Sequence, residues 1–130
     1  MNSNFDWDFQ DGFAGEQLVF DLLTAGRRVE VKTDRKWIET GNVYIETSCW
    51  SNKTNAFEPS GLITTEADYW AFVLEGLVLM VHTVDLRMAA VTFGKPVSCN
   101  IDPNPSKGFL IQIPHLLFTV KKRARGLDYE

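Results

Sequence analysis

The residues of this chain best suited to chemistry are Glu30, Lys32 and Asp34, spaced two apart, and Glu46 a short distance further on. Two-residue spacing places side chains on one face of a β-strand. Carboxylates so close together, with one lysine among them, repel unless a cation neutralises them. A hard divalent ion such as Mg²⁺ meets that need, because it prefers carboxylate oxygens and keeps waters for chemistry. Lys32 beside it would orient or deprotonate an attacking water, or stabilise charge building on a scissile phosphate. The plainer alternative is a solvated hairpin face with cross-strand ion pairs. A further carboxylate, Glu16, is expected either to join the cluster or to lie at a helix N-terminus facing water.

The elements that must carry these groups follow from periodicity. Arg28 to Asp34 reads as a strand with Val29, Val31 and Thr33 on one face and Glu30, Lys32 and Asp34 on the other. Val43 to Cys49 reads as a second strand, with Val43, Ile45 and Thr47 opposed to Tyr44, Glu46 and Ser48. Thr40-Gly41-Asn42 supplies turn chemistry. The two strands are therefore expected to pair as an antiparallel hairpin, with Trp37 and Ile38 covering its end. Upstream, Glu16, Val19, Phe20 and Leu23 recur at helical spacing over residues 12–25, and Gly26 stops that helix. Residues 1–12 alternate aromatic and acidic side chains and read as an arm or an edge strand.

Downstream, residues 51–66 read as an irregular loop ending in a turn of helix at Thr64–Ala67. Tyr69–Leu74 and Leu77–Thr83 flank Glu75-Gly76 and suit a hairpin buried on both faces. Asp85 is placed to cap a short helix through Ala90. A loop with Pro96, Pro103 and Pro105 leads to a last strand, Phe109–Ile113, and then to a basic tail over residues 121–130. This order predicts a single α+β domain over residues 1–130, with a mixed central sheet flanked by helices.

The formal net charge of −4 argues against a protein that coats nucleic acid through a basic surface. It does not exclude a carboxylate cluster that recruits a cation. Basic residues gather near the end at Lys121, Lys122, Arg123 and Arg125, to be read as a solvated tail or as a phosphate-contacting arm. Cys49 and Cys99 match no ligand or redox spacing and are expected to be free thiols serving as small core residues. The start of the chain has neither the basic residues nor the apolar run of a signal peptide, and no apolar stretch is uninterrupted enough to span a bilayer. A cytoplasmic protein is therefore expected. His82 and His115 have no partners at ligand spacing, and there is no nucleotide loop or zinc pattern.

The runs Val29-Glu30-Val31-Lys32-Thr33-Asp34, Thr40 to Glu46, Pro59-Ser60-Gly61-Leu62, Thr64-Thr65 and Ala67-Asp68-Tyr69-Trp70 resemble the PD-(D/E)XK nuclease superfamily, particularly its small phage-type and Holliday junction resolvase-like members. The resemblance covers roughly residues 12–90 and implies a restriction-endonuclease-like core. It implies Mg²⁺-dependent cleavage of DNA phosphodiesters, with Mn²⁺ substituting, and frequent homodimers. Carried over, Glu16 matches the helix glutamate, Glu30, Asp34 and Glu46 the metal carboxylates, and Lys32 the lysine. From their residue types, Ser60-Gly61 and Thr64-Thr65 read either as hydroxyl and N–H contacts to phosphate or as a plain loop. The usual order puts Glu-x-Lys on the second strand, whereas Ser48 follows Glu46 here and Lys32 lies on the first. The favoured reading is a lysine moved to the neighbouring strand; the other is that Glu30-x-Lys32 is the whole signature and Glu46 is auxiliary. The alternatives are an inactive nucleic-acid-binding or protein-interaction module on the same fold, and a phage accessory protein acting through Trp37, Trp50 and the aromatic N-terminus.

Overall fold

A computed structural model of the chain describes residues 16, 17, 20, 26–101 and 103–126. The expected N-terminal arm and most of the expected first helix lie outside the described residues. Within that helix, Glu16, Gln17 and Phe20 are helical, and Gly26 adopts the left-handed conformation of a helix stop (φ 69°).

Seven strands and three further helices follow. β1 (Val29–Thr33), a short α1 (Trp37–Thr40), β2 (Asn42–Ser51) and β3 (Ala56–Pro59) are succeeded by β4 (Tyr69–Leu74), β5 (Leu77–His82) and α2 (Thr83–Phe93). The last elements are β6 (Lys95–Cys99), β7 (Ser106–Gln112) and α3 (Ile113–Ala124). The α+β class is as expected, but a single central sheet is not formed. One three-stranded sheet runs β1-β4-β5, with β1 parallel to β4; a four-stranded antiparallel sheet runs β3-β2-β7-β6.

The core lies between the sheets and the two long helices. Trp70 and Phe72 of β4, Val43 and Ile45 of β2, Ile111 of β7, Leu86 of α2 and Leu116 of α3 are all essentially inaccessible. The alternation expected for β2 therefore holds, since Val43 and Ile45 are buried while Tyr44 and Glu46 are half-exposed. Glu75-Gly76 makes the expected turn, with Gly76 at φ 83°. β4 is buried on both faces, but β5 is largely exposed on one.

The β1–β2 hairpin does not form. β1 joins the buried strand β4, and the edge of β2 is closed by other groups. The Tyr44 N–H donates to Asp34 Oδ2 (3.1 Å), the Leu62 N–H to the Glu46 carbonyl (2.9 Å), and the Ser60 N–H to the Thr47 carbonyl (3.0 Å). With those backbone groups satisfied, no ladder remains there for β1 to extend.

Other expectations are corrected. Residues 51–66 contain β3, and no helix forms at Thr64–Ala67. The proline-containing stretch expected as loop contains β6, where Pro96 is tolerated because β6 is an edge strand. Asp85 is not a cap. It is buried in the first turn of α2 and paired with Arg123 Nε of α3. The basic segment is no free tail as far as Ala124, because Lys121, Lys122 and Arg123 form the last turn of α3.

Candidate active site

Glu46 sits where β2 changes register against β7, between Glu46 and Ser48, leaving Thr47 as a bulge. Bulges re-aim side chains and are common beside active sites. Two glycines make this one possible. A Cβ on Gly61 would meet the Glu46 carbonyl at 2.1 Å, and one on Gly108 would meet the Ile45 carbonyl at 2.1 Å and Glu46 Cα at 2.9 Å. Gly61 also has a left-handed backbone (φ 53°). The backbone carrying Glu46 is thus clamped from both sides. Its carboxylate is half-buried and accepts a hydrogen bond from Ser60 Oγ (2.8 Å).

Tyr44 lies on the same face as Glu46. Its hydroxyl bonds Ser106 Oγ (2.7 Å), and Ser106 is buried. Burial raises the Tyr44 phenol above its usual range; Cys99, Glu46 and Cys49 nearby add to the rise, while the Ser106 bond opposes it. Cys49 and Cys99 flank Ser106 on opposite neighbouring strands. That puts them two strand spacings apart, about 10 Å, beyond disulfide reach. They are free and half-buried, not the core residues expected.

Glu30 and Lys32 are on the first sheet. They are in register with Trp70 and Phe72, and their side chains form an ion pair of 3.1 Å, each 41% exposed. The Lys32 ammonium lies 5.7 Å from the Trp70 ring centre. This reverses the expected polarity of β1, because the charged face is the half-buried one and Val31 is 60% exposed. Asp34 is placed by its backbone bonds. Oδ1 accepts from the Lys36 N–H (3.0 Å) and Oδ2 from the Tyr44 N–H. Glu16 is exposed rather than turned inward.

The structure therefore joins Glu30 to Lys32 and Glu46 to Ser60, but does not gather Glu30, Asp34 and Glu46. Among the described residues no three acidic, histidine or cysteine side chains converge as a closed metal cage. Mg²⁺ does not require one. It is usually held by one or two carboxylates and completed by water and substrate phosphate. Glu46 is the one carboxylate held at the bulge, and Glu30 and Asp34 are engaged elsewhere.

Of the basic residues, Arg123 is used in an ion pair with the buried Asp85, whereas Lys121 and Arg125 are exposed. His82 packs on the Tyr69 ring (4.5 Å) and His115 stacks on Phe93 (4.4 Å), in keeping with structural placement. Sequence reasoning missed Tyr44, Ser106 and Gly108 as site residues, and it singled out Gly61 beside Ser60 without seeing its close approach to Glu46.

No protein-family model, curated protein or solved structure matches this chain significantly. No described helix is long and apolar enough to cross a membrane. Fold and site together define an α+β protein with two sheets and a carboxylate–hydroxyl pair clamped at a strand bulge.

Proposed function

We propose that this chain is a Mg²⁺-dependent DNA endonuclease on a restriction-endonuclease-like core, with Mn²⁺ able to substitute and a homodimer as the working unit. The observation that carries the reading is the Glu46 carboxylate, fixed at a glycine-clamped bulge and bonded to Ser60. The glycines bring the neighbouring backbones close to Glu46, and Ser60 then orients its carboxylate. When bound, the cation would supply charge neutralisation at the scissile phosphate and activation of water. Glu46 would hold it, and Ser60 orients Glu46. Lys32, kept half-buried by Glu30 and Trp70, supplies a cation for the developing phosphate charge. Asp34 fixes the end of β1 against Tyr44, two residues before Glu46, a spacing of about 7 Å along β2.

The separation of Glu30 and Lys32 from Glu46 onto different sheets favours a second reading, a nucleic-acid-binding module without catalysis. The test is cleavage of labelled linear, flap and four-way-junction DNA in Mg²⁺, Mn²⁺ or EDTA. Metal-dependent cutting that is lost in Glu46→Gln supports the nuclease. No cutting of any substrate, with DNA still bound, supports the binding module. Gel filtration at the monomer mass across micromolar concentrations would refute the homodimer.

A further inference from the structure

The β2–β3 hairpin leaves the four-stranded sheet as an edge, and every residue of β3 is exposed. At its tip Trp50 and Phe57 are cross-strand partners, with ring centres 5.4 Å apart in an edge-to-face arrangement. The Trp50 indole N–H donates to Asn52 Oδ1 (3.0 Å), which fixes the ring. The Lys107 ammonium of β7 lies 4.2 Å from the centre of the Phe57 ring, and Phe57 remains 36% exposed. Between Trp50 and Phe57 the sole charged residue is Lys53, followed by hydroxyl and amide side chains at Thr54 and Asn55. With Lys107 beside it and Glu58 the one nearby carboxylate, the tip carries a small positive excess on a chain of net charge −4.

A shallow groove of about 500 Å³ runs beside the tip, lined by Trp50, Lys53, Asn104, Glu58, Pro59 and Ser60. It is continuous with the hydroxyl that binds Glu46. Aromatic faces paired with ammonium groups are the elements that hold unpaired nucleotides, because every base has a π-face and every linkage a phosphate. We infer that this hairpin is a stacking platform for single-stranded nucleic acid: a base stacks at Trp50–Phe57, Lys107 and Lys53 meet the adjoining phosphates, and the strand continues toward Ser60. The inference rests on the nuclease reading only in giving that strand a destination, and it names the substrate as DNA with an unpaired segment. A protein strand added to β3 is the competing occupant, and the cationic tip argues against it for any partner but an acidic one.

A cross-strand aromatic pair also braces a hairpin. The test must separate the two roles. Binding of a fluorescent 12-nucleotide single strand and of the matching blunt duplex is measured by anisotropy in EDTA, on the full chain, for wild type, Phe57→Leu, Phe57→Tyr and Lys107→Gln. Leucine keeps apolar cross-strand packing and removes the ring; tyrosine keeps the ring. The expected result is tighter binding of the single strand than of the duplex, a loss of about fivefold or more in Phe57→Leu, and retention in Phe57→Tyr, with circular dichroism unchanged in all three. Lys107→Gln should lower the slope of log affinity against log salt by about 0.7, one phosphate contact on a single strand. Equal or tighter binding of duplex, or unchanged affinity in Phe57→Leu, overturns the platform. So does a wild-type dimer that Phe57→Leu dissociates, because the surface would then join copies. Loss of the platform with Mg²⁺-dependent cleavage intact would leave the nuclease standing. Neither binding nor cleavage would remove both.

Discussion

The Asp34 carboxylate, at the end of β1, accepts a hydrogen bond from the backbone N–H of Tyr44 on β2 and so ties one sheet to the other. Its second oxygen accepts from the Lys36 N–H at the start of α1. A carboxylate used in this way stabilises the junction, and its loss leaves the half-buried Tyr44 N–H without a partner. Asp34→Ala is expected to lower unfolding free energy by about 2 kcal/mol in urea titrations, and Asp34→Asn by about half that. Unchanged stability in Asp34→Ala, with cleavage abolished, would instead make Asp34 a metal ligand.

The same junction shows what the sequence could and could not convey. The alternation of β2 and the Glu75-Gly76 turn are local, and both were legible. The partner of β1 was not. A parallel pairing across some forty residues leaves no mark in either strand, and the turn chemistry of Thr40-Gly41-Asn42 suggested a hairpin instead. β6 was hidden by Pro96, and α3 by reading its basic last turn as a tail. Its apolar positions Leu116 and Val120 are spaced for a helix, and Pro114 sits in its first turn, where proline is tolerated. At the site, Glu30, Lys32 and Glu46 stood out by type and spacing, but the glycines that shape the bulge act through contacts between distant segments.

Arg123 illustrates how a residue that reads as a nucleic-acid contact serves the fold. It pairs with Asp85, which is 1% exposed, and so joins α3 to α2. Asp85 is buried but Arg123 is partly exposed, so removing the arginine leaves a buried carboxylate whose pairing was in part screened by solvent. Arg123→Ala should therefore destabilise the protein by about 2 kcal/mol. Exposed Lys121→Ala and Arg125→Ala should change stability by less than about 0.5 kcal/mol. If these two contact phosphate, they weaken DNA binding uniformly across sequences and flatten its salt dependence. Thermal melts and anisotropy on the three variants separate the roles. Equal melting temperatures would refute the structural role of Arg123.

Tyr44 gives the protein a pH response at the alkaline end. Burial, with Cys99, Glu46 and Cys49 behind it, raises the phenol above its ordinary range, so the folded chain keeps a proton that the unfolded chain has already lost. The resulting stabilisation is complete below the ordinary phenol value, about pH 10, and is lost as pH rises through the higher folded value. Absorbance titration at about 295 nm should show a late-ionising tyrosine, absent in Tyr44→Phe. At neutral pH that variant loses the Ser106 bond and about 1 kcal/mol. A late step that persists in Tyr44→Phe would assign it elsewhere.

Glu46→Gln is the sharpest probe of the proposed chemistry because it alters charge and little else. The amide oxygen of glutamine still accepts from Ser60 Oγ, and the side chain keeps its length within the bulge held by Gly61 and Gly108. The fold should therefore survive, with a melting temperature within a few degrees of wild type. A neutral amide is a far poorer Mg²⁺ ligand than a carboxylate, so DNA cleavage should fall by about a hundredfold or more, with calorimetric Mn²⁺ binding lost alongside it. Lys32→Met should lower the cleavage rate while leaving Mn²⁺ binding intact, because the lysine acts on phosphate rather than on the cation. If Lys32→Met instead matches wild type, the separation of the two sheets persists in the working protein. The Glu30–Lys32 pair then only braces β1 against Trp70, and catalysis, if present, belongs to the Glu46 side alone.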